Sequence, residues 1–430
     1  MQTFIAVFLG QVISYLSKIL RIGGGSAAPG LYALKLDPDI VSKLSSKIPM
    51  NVVVTGTNGK TTTSRMIAHF ASKSGIKVIR NHTGSNLERG IASTLINSYS
   101  HILSENIDLG IWELDEAAFN TVAPKLKPDI IVFLNVFRDQ LDRYGEVDTV
   151  VKNWCQTLKN LPPKTVVLVN GDDANTAKLS KCFKGVIQKF GVKDFKIVGE
   201  SLVHEKEHGN LDYEAKNVKL SGLNGSTFAL TIFNIRLTIN LPLPGVYHIY
   251  DFLAAFAAGL NLSFKPDTMI SSLKNFSPAF GRVEKLPFGY IFLIKNPAGA
   301  TAVFETVTPN IKKNDRMLFA LNDNIADGTD VSWIWDANFE LLRNSPRAKS
   351  RGPSLYVSGA RAYDLAVRLK YAGFDPKTMI VDDSLSNALK EATMGLKDRL
   401  FVFPTYTAML KLQSILAKTK IKKHYWAEEN

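Results

Sequence analysis

Residues 51–66 read NVVVTGTNGKTTTSRM, and this stretch constrains the fold of the chain more than any other. Four residues of strand character, Asn51 to Val54, run into Thr55-Gly56-Thr57-Asn58-Gly59-Lys60-Thr61-Thr62, and a helical pattern follows at once. A strand, a glycine loop and a helix N-terminus in succession form a phosphate cradle: the glycines let backbone N–H groups approach the oxygens, and the helix end favours negative charge. Lys60 is positioned to reach the outer phosphates and Thr61 to hold Mg²⁺. The first glycine of the common G-x-x-x-x-G-K-[ST] loop falls on Val54, so the loop is the shorter GxxGK[ST] form. The stretch therefore predicts a nucleotide-binding loop made of Gly56, Thr57, Asn58, Gly59, Lys60, Thr61 and Thr62.

A chain of 430 residues with such a loop predicts two α/β domains. From 51 to 170, five short β-rich runs alternate with helical patterns: NVVV, KVIR, LGIWEL, DIIVFLNV and TVVLVN. Apolar runs of this length, separated by helices, predict a doubly wound, mostly parallel sheet. Ligands of such sheets bind beyond the carboxyl ends of the strands. Three sites of interest lie there. Thr83-Gly84-Ser85-Asn86 follow the second run, and the charged loop RDQLDRYG at 138–145 follows the fourth. Glu113 ends the third, with Asp115 and Glu116 just behind it. Glu113 is favoured as a metal ligand; Asp115 and Glu116 fit either a second Mg²⁺ locus or acids at a solvated helix start. Residues 194–244 predict a small antiparallel excursion with a hairpin at Asn224-Gly225, and DFLAAFAAGL (251–260) a helix. A second α/β pattern starts at Tyr290, with strands YIFLIK, RMLFALN, SLYVSG, TMIVDD and RLFVFPTY. The boundaries follow: an N-terminal helix and linker over 1–34, one domain over 35–285 and another over 286–430.

The net charge of +13 suits polyanionic partners without choosing among them, and no RNA- or DNA-binding motif accompanies it, so nucleic acid is not expected. Two cysteines, Cys155 and Cys182, supply neither a disulfide framework nor a four-thiolate metal site; a reducing, cytoplasmic setting is the simpler reading, with both buried. The first 22 residues are too broken by polar groups to span a bilayer. Apolar spacing at Phe8, Val12, Tyr15 and Ile19 predicts an amphipathic helix. Packing on the protein body is the favoured role for it, and resting on a membrane surface the other.

TGTNGKTTT, Glu113, Asn135 with RDQLDRYG, NGDD (170–173) and GRVE (281–284) together resemble the Mur ligase central domain. KNPAG (295–299), LNDNIADGTDVSWIWDANFE (321–340), SGARA (358–362) and PTYTAML (404–410) are similar to the MurT family, the synthetase subunits of glutamine-hydrolysing lipid II isoglutaminyl synthases. The resemblance covers about residues 35–425. It implies a Mur ligase central domain followed by a second, Rossmann-like α/β domain. It also implies ATP-dependent amidation of the D-glutamate α-carboxylate in the lipid II stem peptide, through an acyl phosphate, at the inner face of the cytoplasmic membrane. The ammonia would come from a GatD-like glutaminase partner. Lys60, Thr61 and Glu113 would serve phosphates and Mg²⁺, Thr83 to Asn86 the substrate, and Arg282 a phosphate or ribose, unless Arg282 only pairs with Glu284 at the surface. Asp330 would orient the partner's catalytic histidine; without the resemblance it reads as an Asx-turn or helix cap ahead of VSWIW.

The chain departs from that pattern in several places. The stretch at 195–225, where relatives carry a four-cysteine zinc ribbon, has no cysteine, and His204 and His208 cannot replace four thiolates, so no zinc is expected. The GxxNxxN adenine motif reads Gly245-Val246-Tyr247-His248-Ile249-Tyr250-Asp251, which leaves His248 and Asp251 as the groups for a base edge. Gln140 stands where other Mur ligases have histidine, and Lys152 is out of register for their carbamylated lysine. Two other readings stand beside this one: a self-sufficient ligase that joins an amino acid to a carboxylate, as folylpolyglutamate-type enzymes do, against which the DGTDVSW loop speaks, and a non-catalytic scaffold for a glutaminase, which the changes at His248 and Asp251 keep open and the intact GTNGKTT loop and Glu113 oppose.

Overall fold

The computed structural model describes residues 2–20, 27–81, 85–137, 147–193, 210–233, 235–276, 282–343 and 355–419, the side chains of Lys18, Leu20 and Arg282 excepted. Thr83, Gly84, Gln140, His204 and His208 lie outside these residues.

The first sheet begins with β1 (Met50–Thr55), β2 (Val78–Arg80), β3 (Leu109–Leu114), β4 (Ile130–Phe133) and β5 (Val166–Asn170). It continues through β6 (Val186–Val192), β7 (Tyr213–Leu220), β8 (Ser226–Ile232) and β9 (Ile235–Leu241), in the order β2-β3-β1-β4-β5-β6-β7-β8-β9. Strands β1 to β6 pair in parallel, and β7 joins β6 in parallel before turning antiparallel to β8. The predicted antiparallel excursion is thus not a separate piece but the continuation of one sheet, with Gly225 (φ 112°) at the β7–β8 turn. β6 carried no clear sequence signal, because glutamine, lysine and glycine interrupt its apolar run.

Side chains alternate across a strand, so a sheet covered on both faces needs apolar residues at nearly every position. On β1, Val52 and Val54 face one core, with Met66, Ile67 and Phe70 of the helix Lys60–Lys73 and the helix Val246–Asn261. Val53 faces the other, around Phe119, Phe133 and Trp154, whose rings meet at 4.9–5.9 Å. Buried Asn51 fixes the start of β1, accepting from the Trp112 indole at 2.8 Å while its backbone N–H donates to Asp129 at 2.9 Å.

The second sheet runs β10-β11-β15-β12-β13-β14, comprising β10 (Arg282–Leu286), β11 (Gly289–Phe292), β12 (Arg316–Ala320), β13 (Leu355–Ser358), β14 (Met379–Val381) and β15 (Leu400–Pro404). All its pairings are parallel except β10 with β11. The five strands foreseen after Tyr290 are all present, within a residue or two of their foreseen starts.

Three features differ from the sequence reading. Residues 28–36, read mostly as linker, form a helix (Ala28–Leu36) that packs between the N-terminal helix Gln2–Leu20 and the helix Glu88–Asn97. The N-terminal helix packs as foreseen but with the opposite face. Its small residues Ala6, Val7, Gly10 and Ser14 are buried, whereas Phe8, Tyr15 and Ile19 are about 60% exposed. Cys155 and Cys182 are only half-buried and are joined as a disulfide, because the helix Val147–Lys159 and the turn Leu179–Lys181 bring their Cα atoms to 5.2 Å.

Candidate active site

The loop after β1 is held open by its neighbours rather than by itself. Asn135, just past β4, accepts from the Asn58 N–H at 2.8 Å, donates to the Asn58 carbonyl at 3.0 Å, and takes the Thr57 N–H on its own carbonyl at 2.9 Å. Gly56 (φ 135°) lies so close to Asn135 that a Cβ would sit 2.9 Å from its carbonyl oxygen. At Gly59 (φ 92°) a Cβ would fall 2.2 Å from the Asp251 carboxylate. Both glycines are therefore required by conformation and by space. Thr61 and Thr62 open the helix Lys60–Lys73, where backbone N–H groups lack intrahelical acceptors.

Lys60 folds back over this loop. Its ammonium donates to the Gly56 carbonyl, lies 3.3 Å from the Thr57 carbonyl and pairs with buried Glu116 at 3.4 Å. Glu113 accepts from the Thr61 hydroxyl at 2.9 Å and the Ser64 hydroxyl at 2.6 Å. Asn81 fixes Glu113 from behind, accepting from its N–H at 2.8 Å and donating to its carbonyl at 3.0 Å. A second bond from Asn81 holds the Ser85 carbonyl at 2.9 Å, so the described part of the 83–86 loop is tied to the same carboxylate strand. The three acids foreseen as one cluster separate: Glu113 meets the threonine, Glu116 meets the lysine, and Asp115 accepts from the Ala117 N–H at 3.2 Å in an Asx-type turn. No group of three or more His, Cys, Asp or Glu fit to hold a metal occurs among the described residues. Thr61 with Glu113 nevertheless fits Mg²⁺, which takes one or two protein oxygens and completes its shell with phosphates and water.

The GxxNxxN counterpart is helical from Val246, five residues earlier than foreseen, with Gly245 (φ 89°) as its cap. That start puts His248 and Asp251 one turn apart on the face towards a cavity beside Asn58. His248 is fully buried, its Nδ1 2.9 Å from the Pro244 carbonyl oxygen, and Thr63 donates to Asp251 at 3.4 Å. The NGDD segment is scaffolding for this wall. Asp173 caps the helix Ala174–Lys178 and takes the Val136 N–H at 2.9 Å; Asp172 takes the Val192 N–H and the Tyr250 hydroxyl, both at 2.7 Å. Burial, then the neighbouring Asp172 charge, holds the Tyr250 hydroxyl well above its usual pKa, so it stays a donor.

The opposite wall of the cavity comes from the second α/β unit: Phe292 of β11, Lys295, and Ala298, Gly299 and Val303 of the helix Pro297–Val307. Here the structure adds a residue whose long-range partnership had no local signal. Asn296 caps the helix Pro297–Val307, accepting the Gly299 N–H at 2.8 Å, and exchanges a reciprocal amide pair with Asn58 at 3.0 and 3.3 Å. The phosphate loop and the second α/β unit thus share one clasp. Arg282 begins β10, and its side chain lies outside the described residues; Glu284 is held by Gln413 at 2.9 and 3.0 Å.

The LNDN…DGTDVSW segment follows β12 and separates its two aspartates. Asp327 is buried and holds the N–H and hydroxyl of Thr407 at the start of the helix Tyr406–Lys418. Asn322 and Asn324 reach the same hydroxyl at 2.9 and 2.8 Å. Asp330 is exposed and accepts from the Ser332 N–H at 2.8 Å, the Asx-turn that opens Ser332–Trp335.

A family model for the Mur ligase middle domain matches residues 54–259, and one for the MurT ligase C-terminal domain matches residues 293–409. The chain is 30% identical over 439 residues to the lipid II isoglutaminyl synthase (glutamine-hydrolyzing) subunit MurT of Streptococcus pneumoniae, covering 93% of this chain and 94% of that one. The chain belongs to the MurT family. The MurT subunit of Staphylococcus aureus is 29% identical over 90% of this chain and 91% of its own. Two solved structures share the fold: MurF from Acinetobacter baumannii (TM-score 0.70, 19% identity, 92% of this chain and 81% of that one) and Mycobacterium tuberculosis folylpolyglutamate synthase complexed with ADP (TM-score 0.64, 14%, 90% and 93%).

Two outcomes follow from this geometry. Asn296→Asp keeps a capping oxygen for the Gly299 N–H but replaces the donor to Asn58 with an acceptor. Asn296→Ala loses both functions. The aspartate variant is expected to melt near wild type with ATP affinity lowered several-fold, and the alanine variant to lose a further ~1 kcal/mol of stability, checked by calorimetry and thermal melts. Equal ATP affinity in all three would remove the clasp from nucleotide binding. Glu305, on the same helix, has a buried carboxylate oxygen without a hydrogen-bond partner, and burial pushes its pKa from 4.5 to about 7. Between those values the folded chain holds a proton that the unfolded chain has released, so stability falls as pH rises through this window and is lowest above it. Glu305→Gln is expected to flatten the melting temperature over that range and to raise it at alkaline pH. A variant whose melting curve keeps the wild-type slope with pH would contradict the assignment.

Proposed function

We propose that this chain is the synthetase subunit of a glutamine-hydrolysing lipid II isoglutaminyl synthase. ATP bound at the loop Gly56–Thr62, with Mg²⁺ on Thr61 and Glu113, gives its γ-phosphoryl group to the α-carboxylate of D-glutamate in the stem peptide, releasing ADP. Ammonia attacks the acyl carbon, and phosphate leaves with the former carboxylate oxygen, giving D-isoglutamine. The protein supplies position and charge: Lys60 rotates from the loop carbonyls to the phosphates, and the 83–86 loop, beside Glu113, holds the stem peptide. Arg282 stands at the domain junction as a phosphate or ribose contact. His248 and Asp251 contact the adenine. The middle unit, which ends before β10, binds nucleotide, and the second, from β10 onward, carries the partner surface. The Streptococcus and Staphylococcus relatives, both named as the MurT subunit of this synthase, support this reading.

The observation that carries it is the surface around Asp330. An exposed carboxylate on a loop that buried Asp327 holds rigid sits in the same unit as Ile325, Trp335, Tyr363, Val367 and Tyr371, all 48–79% exposed. Tyr363, Val367 and Tyr371 repeat every fourth residue on the helix Ala362–Tyr371, and Trp335 meets Tyr371 at 5.6 Å. Buried Arg368 braces that face through the Ile334 and Ala337 carbonyls at 2.9 and 2.8 Å. Exposed aromatic surface in the unit that carries this charged loop fits a protein partner, here a GatD-like glutaminase whose histidine Asp330 orients. The test is which nucleophile drives ATP turnover by the isolated chain on lipid II: turnover with ammonia, supplied as an ammonium salt, supports the proposal, whereas an amino acid that supports turnover instead makes the chain a self-sufficient ligase.

A further inference from the structure

The N-terminal helix Gln2–Leu20 is fastened to the body by its small side chains and a few polar bonds. Thr3 donates to buried Asp37 at 2.6 Å and Gln11 to the Ile96 carbonyl at 3.1 Å. Gly10 lies so close to the helix Glu88–Asn97 that a Cβ would stand 3.0 Å from Ile96. This docking leaves the large apolar side chains outside: Phe4 is 64% exposed, Phe8 60%, Tyr15 66% and Ile19 58%, along one helical stripe, and Tyr32 of the next helix is 47% exposed. Scattered exposed apolar residues are ordinary, but a continuous stripe of them along a docked helix marks a contact surface.

We propose that this face rests on the surface of an anionic lipid bilayer. Its chemistry matches an interfacial helix, apolar and aromatic on one side with basic charge beside it. The helix has no acidic residue. Residues 1–47 hold Lys18, Arg21, Lys35, Lys43 and Lys47 against Asp37 and Asp39, and Asp37 is buried and bonded to Lys43 at 2.7 Å. The Lys35 ammonium lies over the Tyr32 ring at 5.6 Å, on the helix that packs against the N-terminal one. No helix among the described residues is long and apolar enough to cross a membrane, so the contact is in-plane. The helix Ala28–Leu36 also lies against the helix that follows Ser85-Asn86, its Gly30 N–H donating to Ser93 at 2.8 Å. The lipid-facing surface and the proposed substrate loop therefore share one layer; that link to a lipid-borne substrate rests on the function proposed above, whereas the bilayer contact does not.

The test is co-sedimentation of the full chain with phosphatidylcholine vesicles, with and without phosphatidylglycerol, in the absence of lipid II and nucleotide. Wild type is expected to partition onto the anionic vesicles and to be released by salt. The variant carrying Phe4→Ser, Phe8→Ser and Tyr15→Ser is expected to bind roughly tenfold or more weakly with an unchanged thermal melt. Phe8→Ser alone gives the comparison if the triple variant melts lower. The inference is overturned if wild type stays in solution with both vesicles, or if the folded variants bind as well as wild type. It is equally overturned if the face instead pairs two copies of the chain, as a dimer that the triple variant abolishes and that ignores vesicles. A chain that binds vesicles but amidates nothing would sink the proposed function and leave this inference standing.

Discussion

Asp330→Asn is expected to abolish glutamine hydrolysis by the complex proposed between this chain and a GatD-like subunit, and to leave the complex itself intact. The substitution isolates charge from structure. An asparagine oxygen still accepts the Ser332 N–H, so the Asx-turn ahead of Trp333 is retained. What disappears is a carboxylate able to hold a neighbouring imidazole in one tautomer and to stabilise its protonated form. Removing that from a triad costs on the order of 10⁴-fold in turnover. Asp327→Asn is the contrasting variant. Asp327 is 6% exposed and binds both donors of Thr407, so its replacement is read in the thermal melt, at about 1–3 kcal/mol. Glutaminase assays, with co-purification as the check on assembly, separate the two. Full glutaminase activity in Asp330→Asn would reduce Asp330 to a turn residue.

Lys60→Ala is expected to lower ATP hydrolysis by roughly 10²–10³-fold or more, the usual cost of losing a positioned donor to a charged transition state. The side chain is held in place by the loop carbonyls and Glu116, all within the first unit. Glutamine hydrolysis, assembly with the partner and most of the stability are therefore expected to persist. Loss of the ion pair costs about 1–3 kcal/mol, because Glu116 stays buried. A scaffold whose nucleotide site has decayed would show no change in phosphate release. Steady-state phosphate release with lipid II and ammonium ion makes the measurement.

Which parts of this site were legible in the sequence follows from how local each signal is. The loop Gly56–Thr62 announces itself because strand, glycines, lysine and helix are contiguous, and the parallel strands because burial on both faces forces near-continuous apolar runs. The helix cap at Asn296 is also local, an asparagine followed by Pro297 at the first helical position. Its partnership with Asn58, 238 residues away, is a property of how two sheets meet, and no spacing encodes it. The same holds for Cys155 with Cys182 and for the separation of Glu113 from Glu116. The N-terminal helix shows the limit most clearly. Periodicity finds its apolar stripe, but Ala6, Val7 and Gly10 on the other side allow a closer approach, and contact with the body goes to that side. The helix at Val246 starts early because tertiary burial of Val246, Ile249 and Tyr250 overrides the weak helix propensity of such residues.

The most direct measurement is transfer of an isotope-labelled amide nitrogen from glutamine to lipid II by this chain with its glutaminase partner and ATP, read by mass spectrometry of the stem peptide. The account predicts that the label arrives on the α-carboxamide of the D-glutamyl residue, and that Lys60→Ala and Asp330→Asn each prevent it. ATP consumed with the label left in ammonia, or a stem peptide that gains an amino acid instead of an amide, would contradict it.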